Sequence, residues 1–540
     1  MSDQPKTGPS IWERSTIVRF FRWLFSWRGM RRVFLVLAWT ATILALCYGE
    51  ENWRGRRAWN HYRQAAEARG ESFDYAAYIP KPVPDDRNFA ATPFLQSFLL
   101  GNRPVTLTND LYARAADHII ATRLAEGRRH FEDLVAWQLA STALQSGPLA
   151  PPGRKFQSDE ADPAARAAAA SVVLEGLKPD EAAFAELRAA STREFSRYPV
   201  KYELEKPWFT LIPHLAKIKQ VCQRLSLQAC AELAAGQTEQ ALADVRLTVA
   251  LADSIKSEPF LVSILVRIAC LHLAIQPVWE GLAEHRWSDA QLQELQARFL
   301  SSDFLADMQL SLKAERACGV LMVDLIKKQG LVILDGGSES GDPLRKVVFN
   351  GLGLVIPSGW YDLEKLNYCA LYDAQMKGVV DLAAKTISPS TAESNANALT
   401  KAIELTQLIR QGAAGPSGWP FKALLRHRLI ASTMPVLEGF VVKIAAAQIT
   451  ADQAALACAL ERYRLANGQF PEKLEALSPR FMPRQPNDVI TGQPFKYRRA
   501  DDGQFILYSV GWNEKDDGGV PGKSLFDKAE GDWVWSYPAK

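Results

Sequence analysis

Between Trp512 and Gly519 the chain reads Trp-Asn-Glu-Lys-Asp-Asp-Gly-Gly, which puts four oxygen-bearing side chains within five positions. Hard cations such as Ca²⁺ take six to eight oxygens at about 2.3–2.6 Å, and a cation offsets the mutual repulsion of crowded carboxylates. The two glycines allow the loop to fold tightly. Asp532, opening the next strand-like run, is spaced to approach the same loop. The candidate metal ligands are therefore Asn513, Asp516, Asp517 and Asp532, with Ca²⁺ as the candidate cofactor. Against this stand Lys515 inside the loop, a spacing unlike that of an EF-hand, and the fact that acidic, glycine-containing turns are commonly just solvated.

Other familiar chemistry is missing from the sequence. There is no H-E-x-x-H, no G-x-x-x-x-G-K-[ST], no G-x-S-x-G and no G-x-G-x-x-G. Gly522-Lys523-Ser524 has the tail of a phosphate-binding loop, but Asp517 stands where its first glycine belongs. The seven histidines (His61, His118, His130, His214, His272, His285, His427) show no helical metal spacing to one another. No catalytic or organic-cofactor residue is singled out.

The elements that must carry the acidic loop are legible just upstream. In ITADQAALACALERYRLANGQFPEKLEAL, Ala455, Leu456, Ala459, Leu460 and Tyr463 form one helix stripe. Asn467-Gly468 closes the helix in the left-handed region, and Phe470-Pro471 reverses the chain. FKYRR and QFILYSV alternate as strands joined at Asp501-Asp502-Gly503, where Gly503 requires a positive φ. An antiparallel sheet is predicted near 495–499, 504–510 and 532–536.

This stretch resembles the globular domain of the major pseudopilins of type II secretion systems. Their Y-x-x-x-x-G-x-[YF]-P turn maps onto Tyr463, Gly468, Phe470 and Pro471, with Asp488, Gly492, Pro494, Tyr497, Tyr508, Ser509 and Gly511 following. The resemblance implies a long helix packed on a small antiparallel sheet, and it adds weight to calcium, which pseudopilins often hold in the corresponding loop. The chain departs from the family at its other end. Gly29 is followed by Met30-Arg31-Arg32-Val33-Phe34, so the fifth position is Phe rather than Glu, and roughly four hundred residues separate the anchor from the pilin-like region. It is not expected to polymerise as a pseudopilus subunit. As a whole it resembles a group of uncharacterised single-pass bacterial membrane proteins with this ending.

From about 110 to 329 apolar residues recur at three and four, and Pro or Gly interrupts at helix spacing. AELAAGQTEQALADVRLTVALADSI (231–255) reads as a helical hairpin turning at Gly236, with Ala241, Val245 and Thr248 on the packing face. A single unit predicts helical-hairpin layers rather than a repeat array. A second helical block is expected over about 360–410, interrupted by a polar, mobile loop at 380–400. IPSGWY (356–361) is echoed by GPSGWP within 412–420. Four prolines between Tyr78 and Pro93 predict an extended linker.

Val33–Tyr48 is sixteen residues without a charge. At about 1.5 Å per residue it covers roughly 24 Å of a ~30 Å hydrocarbon core, and snorkelling arginines supply the remainder. Residues 1–32 hold seven Lys/Arg against Asp3 and Glu13. The positive-inside rule then predicts a cytoplasmic N-terminus and an extracytoplasmic bulk. Neither a small-residue cleavage site nor a proper lipoprotein box follows the run, which favours an uncleaved anchor. IVRFFRWLFSWRGM, interleaving aromatics with arginines, fits a juxtamembrane or interfacial helix.

Residues 33–540 carry 56 basic and 58 acidic side chains, no field to recruit nucleic acid. Seven cysteines without a C-x-x-C pair, most in apolar helical runs, read as buried free thiols. The predicted fold is mainly α: one N-terminal transmembrane helix, α-helical hairpin layers and a small C-terminal α+β pseudopilin-like domain with an antiparallel sheet. The expected divisions are a basic cytoplasmic tail (1–32), the transmembrane helix (33–49), a membrane-proximal helix and Pro-rich linker (50–109), a helical extracytoplasmic region (110–435) and the pseudopilin-like domain (436–540). The leading functional expectation is a scaffold or partner-binding protein in the bacterial inner membrane, with its bulk in the periplasm, a protein partner in the cell envelope and no identifiable catalysis. The alternative is an envelope hydrolase with its site in a helical groove. A deep pocket with two carboxylates or a His–acid pair favours the enzyme; exposed apolar grooves favour the scaffold.

Overall fold

The computed structural model describes residues 16–100, 112, 127–145, 163–330, 356–412 and 436–537. The second Pro-Ser-Gly-Trp stretch and much of the glycine-rich segment after Gln329 lie outside them. The chain forms two units: 1–70 with 323–367 and 421–429, and 71–322 with 368–420 and 430–540.

In the smaller unit, α1 (Thr16–Leu24) precedes α2 (Trp27–Glu67), a 41-residue helix capped by Ser26, whose hydroxyl accepts from the Gly29 amide. The charge-free run lies within α2, and the membrane-length window there is wholly exposed. An apolar stretch this long, left uncovered by protein, fits a bilayer. No break follows Tyr48: the helix continues through the polar residues 50–67. Farther along, it is gripped by α12 (Ser358–Met376). Asn52 Oδ1 accepts from the Gly359 amide at 2.8 Å and the Ser358 hydroxyl at 3.0 Å, capping that helix, while Trp360 donates to Glu51 at 3.0 Å. Gly55 and Gly359 permit the crossing, since a Cβ on Gly55 would lie 2.0 Å from the Gly359 carbonyl oxygen.

The larger unit is helical and layered, as the sequence pattern predicts. Helices α4 (Leu134–Gln145) and α5 (Pro163–Leu177) pack together, and α5 lies on α7 (His214–Ala234). α7 turns at Gly236 into α8 (Thr238–Asp253), and both pack on α9 (Leu261–Ala283). The turn is a Schellman motif: Gly236 has φ +77°, and the Gln237 amide reaches the Glu232 carbonyl at 2.7 Å. Ala241, Val245 and Thr248 are buried, as expected. α9 is apolar and long enough to span a membrane, but it is mostly buried among other helices and is a core helix. Next come α10 (Asp289–Leu300), with a Ser288/Gln291 capping box, and α11 (Phe304–Gln329).

The centre of this unit is α14 (Glu438–Asn467), which contacts α9, α10, α13 (Pro389–Gly412) and the sheet. From Phe440 to Glu461 every residue but Lys443 is buried. The single stripe expected from Ala455 to Tyr463 is therefore too narrow. Small alanines let neighbours approach on all sides, so even Gln448, Asp452 and Gln453 point into protein. The sheet order is β3 (Lys496–Arg499), β4 (Phe505–Ser509), β5 (Trp533–Trp535), all antiparallel and within a residue of the predicted strands.

Three expectations change. The 380–400 stretch is ordered as a hairpin, β1 (Val380–Asp381) with β2 (Thr386–Ile387), followed by α13, because Pro389 can start a helix and Ser388 caps it. The Pro-rich segment is not a free linker: Asn88, Phe89 and Ala90 are buried, and Asn88 bridges to Phe195. Residues 191–213 are not continuous helix, since Pro199, Pro207 and Pro213 interrupt it.

Two outcomes follow from this packing. Gly503 has φ +80° with open space where a Cβ would go, so Gly503→Val meets backbone strain alone and is expected to cost about 1–3 kcal/mol, read as a lowered melting temperature. Burial pushes the Asp452 carboxyl up to about 7, against the donating Gln448 amide. Between its ordinary value near 3.8 and about 7 the folded chain keeps a proton that the unfolded chain has released. This group's stabilising contribution is complete at the acid end of that window and is lost as pH rises through it. Asp452→Asn is expected to flatten the fall in melting temperature between about pH 5 and pH 7 and to raise it by a few degrees at about pH 8.

Candidate functional site

The C-terminal loop brings its four predicted ligands near one another, but their oxygens are engaged by the loop itself. Asp532 accepts from the Gly519 amide at 2.6 Å and the Asp517 amide at 3.2 Å. Asp516 accepts from the Tyr508 hydroxyl and the Gly518 amide, both at 3.1 Å, and faces Lys496 at 3.3 Å. Asn513 spans the turn, accepting from the Lys515 amide at 3.0 Å and donating to Asp517 at 3.3 Å. Burial and then the neighbouring Asp517 and Asp516 charges hold the Asp532 carboxyl above its usual range. Among the described residues no three His, Cys, Asp or Glu side chains converge at metal-holding spacing. The oxygens are arranged as Asx-type turns that support β5.

A second feature was not anticipated from the sequence. In the larger unit a cavity of about 410 Å³ opens beside the start of α9 and the middle of α11. That volume is within the range of small-molecule sites. Its walls include Tyr75, Trp208, Ile212, Phe260, Cys318 and Tyr368, with Glu315 the only charged residue among them. Each wall has a local cause. Tyr75 sits in a 3₁₀ turn capped by Asp74 and packs on Ala314, Ala317 and Cys318. Trp208 lies in the turn that Pro207 opens, and Phe260 ends an extended segment just before α9. Tyr368 crosses α11 at Gly319, where a Cβ would lie 2.1 Å from its ring. A helix-interior glycine costs about 1 kcal/mol relative to alanine, and here it makes room for that ring.

Burial shifts the ionisable groups of the cavity. Burial pushes the Glu315 carboxyl up, and burial followed by the Glu315 charge pushes the Cys318 thiol far above its usual value. Tyr75 and Tyr368 are raised for the same leading reason. A thiol in this state is a poor nucleophile.

One residue before Pro259 of the wall, Glu258 bridges His214 Nε2 at 2.6 Å and the Ser263 hydroxyl at 2.5 Å, and His214 stacks on Tyr198 with ring centroids 4.6 Å apart. The serine gives its hydrogen bond to the carboxylate, not to the imidazole, so the His cannot take its proton as in a nucleophilic triad. His214 and Ser263 are both buried. The trio ties the start of α7 to the start of α9.

No family model, curated protein or solved structure matches this chain.

In retrospect, the cavity's sequence signals were the closely spaced Pro207 and Pro213, the Pro259-Phe260 break and the small residues Ala314, Ala317 and Gly319 around Glu315. None specifies which distant segments close on it. For the acidic loop the expected outcome is a melting temperature of the full-length protein unchanged by millimolar calcium, with Asp517→Ala behaving like wild type. A calcium-dependent rise in wild type that Asp517→Ala abolishes would make the loop a metal site.

Proposed function

We propose that this chain is a single-pass protein of the bacterial inner membrane, with its N-terminus in the cytoplasm and its bulk in the periplasm, and that it binds a ligand or partner without transforming it. The observation that carries the binding reading is the cavity at Glu315. It has size and an apolar, aromatic lining, and among the described residues no activated nucleophile and no acid–base pair is aimed into it. Such a site holds a molecule and lacks the groups to cleave one. An exposed apolar rim extends it: Leu211 is 81% exposed, and Phe209 and Val262 are also exposed beside lining residues. These side chains suit contact with a protein partner in the envelope.

The hydrolase alternative rests on the His214–Glu258 pair, and the direction of the Ser263 hydrogen bond argues against it. The pseudopilin-type ending enters this reading as a folded prop for the central helix, supported by the order of long helix, reversal and three-stranded antiparallel sheet. The placement in the membrane is supported by the uncovered apolar run of α2 and the basic residues before it.

A reporter enzyme that works only outside the cytoplasm, fused after Lys540, is expected to be active in a Gram-negative host. A reporter that folds only in the cytoplasm is expected to be silent at the same position. The reverse result overturns the topology.

A further inference from the structure

Elsewhere in the larger unit, buried acids are met by a cation or a donor. Asp180 pairs with Arg224 at 2.5 Å, Glu280 and Asp244 pair with Arg166 and Arg188, and Glu258 receives both His214 and Ser263. Glu315 is different. It is partly buried and lines the cavity, yet no hydrogen bond or ion pair reaches its carboxyl among the described residues. The next residue, Arg316, is turned away and spent on Glu71 and Asp373. A buried carboxylate without a counter-charge is costly, because taking the ion from water is not repaid by any partner.

The rest of the wall narrows what would repay it. Tyr75, Trp208, Phe260 and Tyr368 contribute four aromatic rings, and aromatic faces attract cations while offering nothing to anions. Among the described residues no hydrogen bond reaches the Tyr75 and Tyr368 hydroxyls, and Thr210 adds a further hydroxyl to the lining. Among the described residues no Lys, Arg or His lines the cavity, so a carboxylate or phosphate ligand would meet Glu315 there rather than a described cation. The remaining lining, Ile212, Leu261 and the proline rings, suits an apolar body next to the charge.

From this we infer that the cavity binds an organic ammonium ion, its charge held against Glu315 and within the rings of Tyr75, Trp208, Phe260 and Tyr368, and its apolar part directed along Ile212 and Leu261. The inference rests on the reading of the cavity as a binding site and adds the chemical class of its ligand. An ammonium headgroup of a membrane lipid and a free amine share this chemistry.

The test uses the full-length protein in non-ionic detergent and a pair of probes alike in shape and different in charge: choline and its neutral isostere 3,3-dimethyl-1-butanol. Titration calorimetry, with the part of the tryptophan fluorescence change that Trp208→Leu removes as a second readout, is expected to give choline binding at least ten-fold tighter than the isostere. Glu315→Gln is expected to lose at least ten-fold in choline affinity while keeping or raising the melting temperature, since it removes an uncompensated acid. Trp208→Leu, at a partly exposed position that tolerates substitution, is expected to weaken choline several-fold and serves if the first variant fails to fold. Equal binding of the two probes, or full choline affinity in Glu315→Gln, overturns the ammonium assignment and leaves the cavity as a site for neutral ligands. Absence of binding by either probe overturns both the assignment and the binding reading. The source is separated by repeating the titration in phosphatidylglycerol nanodiscs with and without phosphatidylethanolamine: loss of choline binding only where phosphatidylethanolamine is present assigns the site to the lipid headgroup, and unchanged binding assigns it to a soluble amine.

Discussion

The constraint on which the larger unit depends is the burial of α14 on every side. A helix with one apolar face can rest on a single layer; one enclosed from Phe440 to Glu461 needs neighbours all round it. α9 and α10 supply part of that cover and the C-terminal sheet another part. The polar residues of α14 then fix where the neighbours start. Gln448 accepts from the Phe304 amide at 2.9 Å, which caps α11, and Gln453 donates to the Trp533 carbonyl at 2.8 Å, which holds β5. Buried amides of this kind give register more than stability, because an unmet partner costs about 1–3 kcal/mol. The helix that carries Glu315, Cys318 and Gly319 is thus set at its first turn by a side chain more than a hundred residues further along.

Charge is distributed according to the same logic. Arg166, Arg188, Arg224 and Arg267 each reach from one helix to a carboxylate on another element, and removing one partner of such a pair costs about 3–5 kcal/mol because the other is left buried. These pairs orient the layers that hydrophobic contact alone would let slide. Set among them, Glu315 has no counter-charge among the described residues, and the Tyr368 ring near it is seated over the helix-interior Gly319.

The smaller unit adds close backbone approach to ion pairs such as Lys365 with Asp324 at 3.0 Å. Gly55 and Gly359 bring α2 and α12 together, and the Asn52 and Glu51 side chains then complete the first turn of α12. This grip lies three to seven residues beyond the charge-free run, on the polar part of α2, and leaves the apolar part uncovered. An anchor and a docking point on one continuous helix are compatible because residues 50–67 trade apolar surface for glycine contact and hydrogen bonds.

By itself the sequence determined what depends on periodicity and local backbone chemistry: the apolar α2 run, the hairpin closed at Gly236, the positive φ of Gly503, the three C-terminal strands and the predominance of buried, unpaired cysteines. These are read over a few residues, where spacing and turn preferences suffice. It did not reveal that α14 is enclosed all round, because small and polar residues hide a core helix from any count of apolar stripes. It pointed to the acidic loop because carboxylates close in sequence are visible, whereas the engagement of those carboxylates by their own amides depends on the fold of the turn. The cavity at Glu315 was decided by tertiary structure alone. Its walls come from residues as far apart as Tyr75 and Tyr368, and which described side chains reach Glu315 depends on the tertiary fold, which no local pattern records.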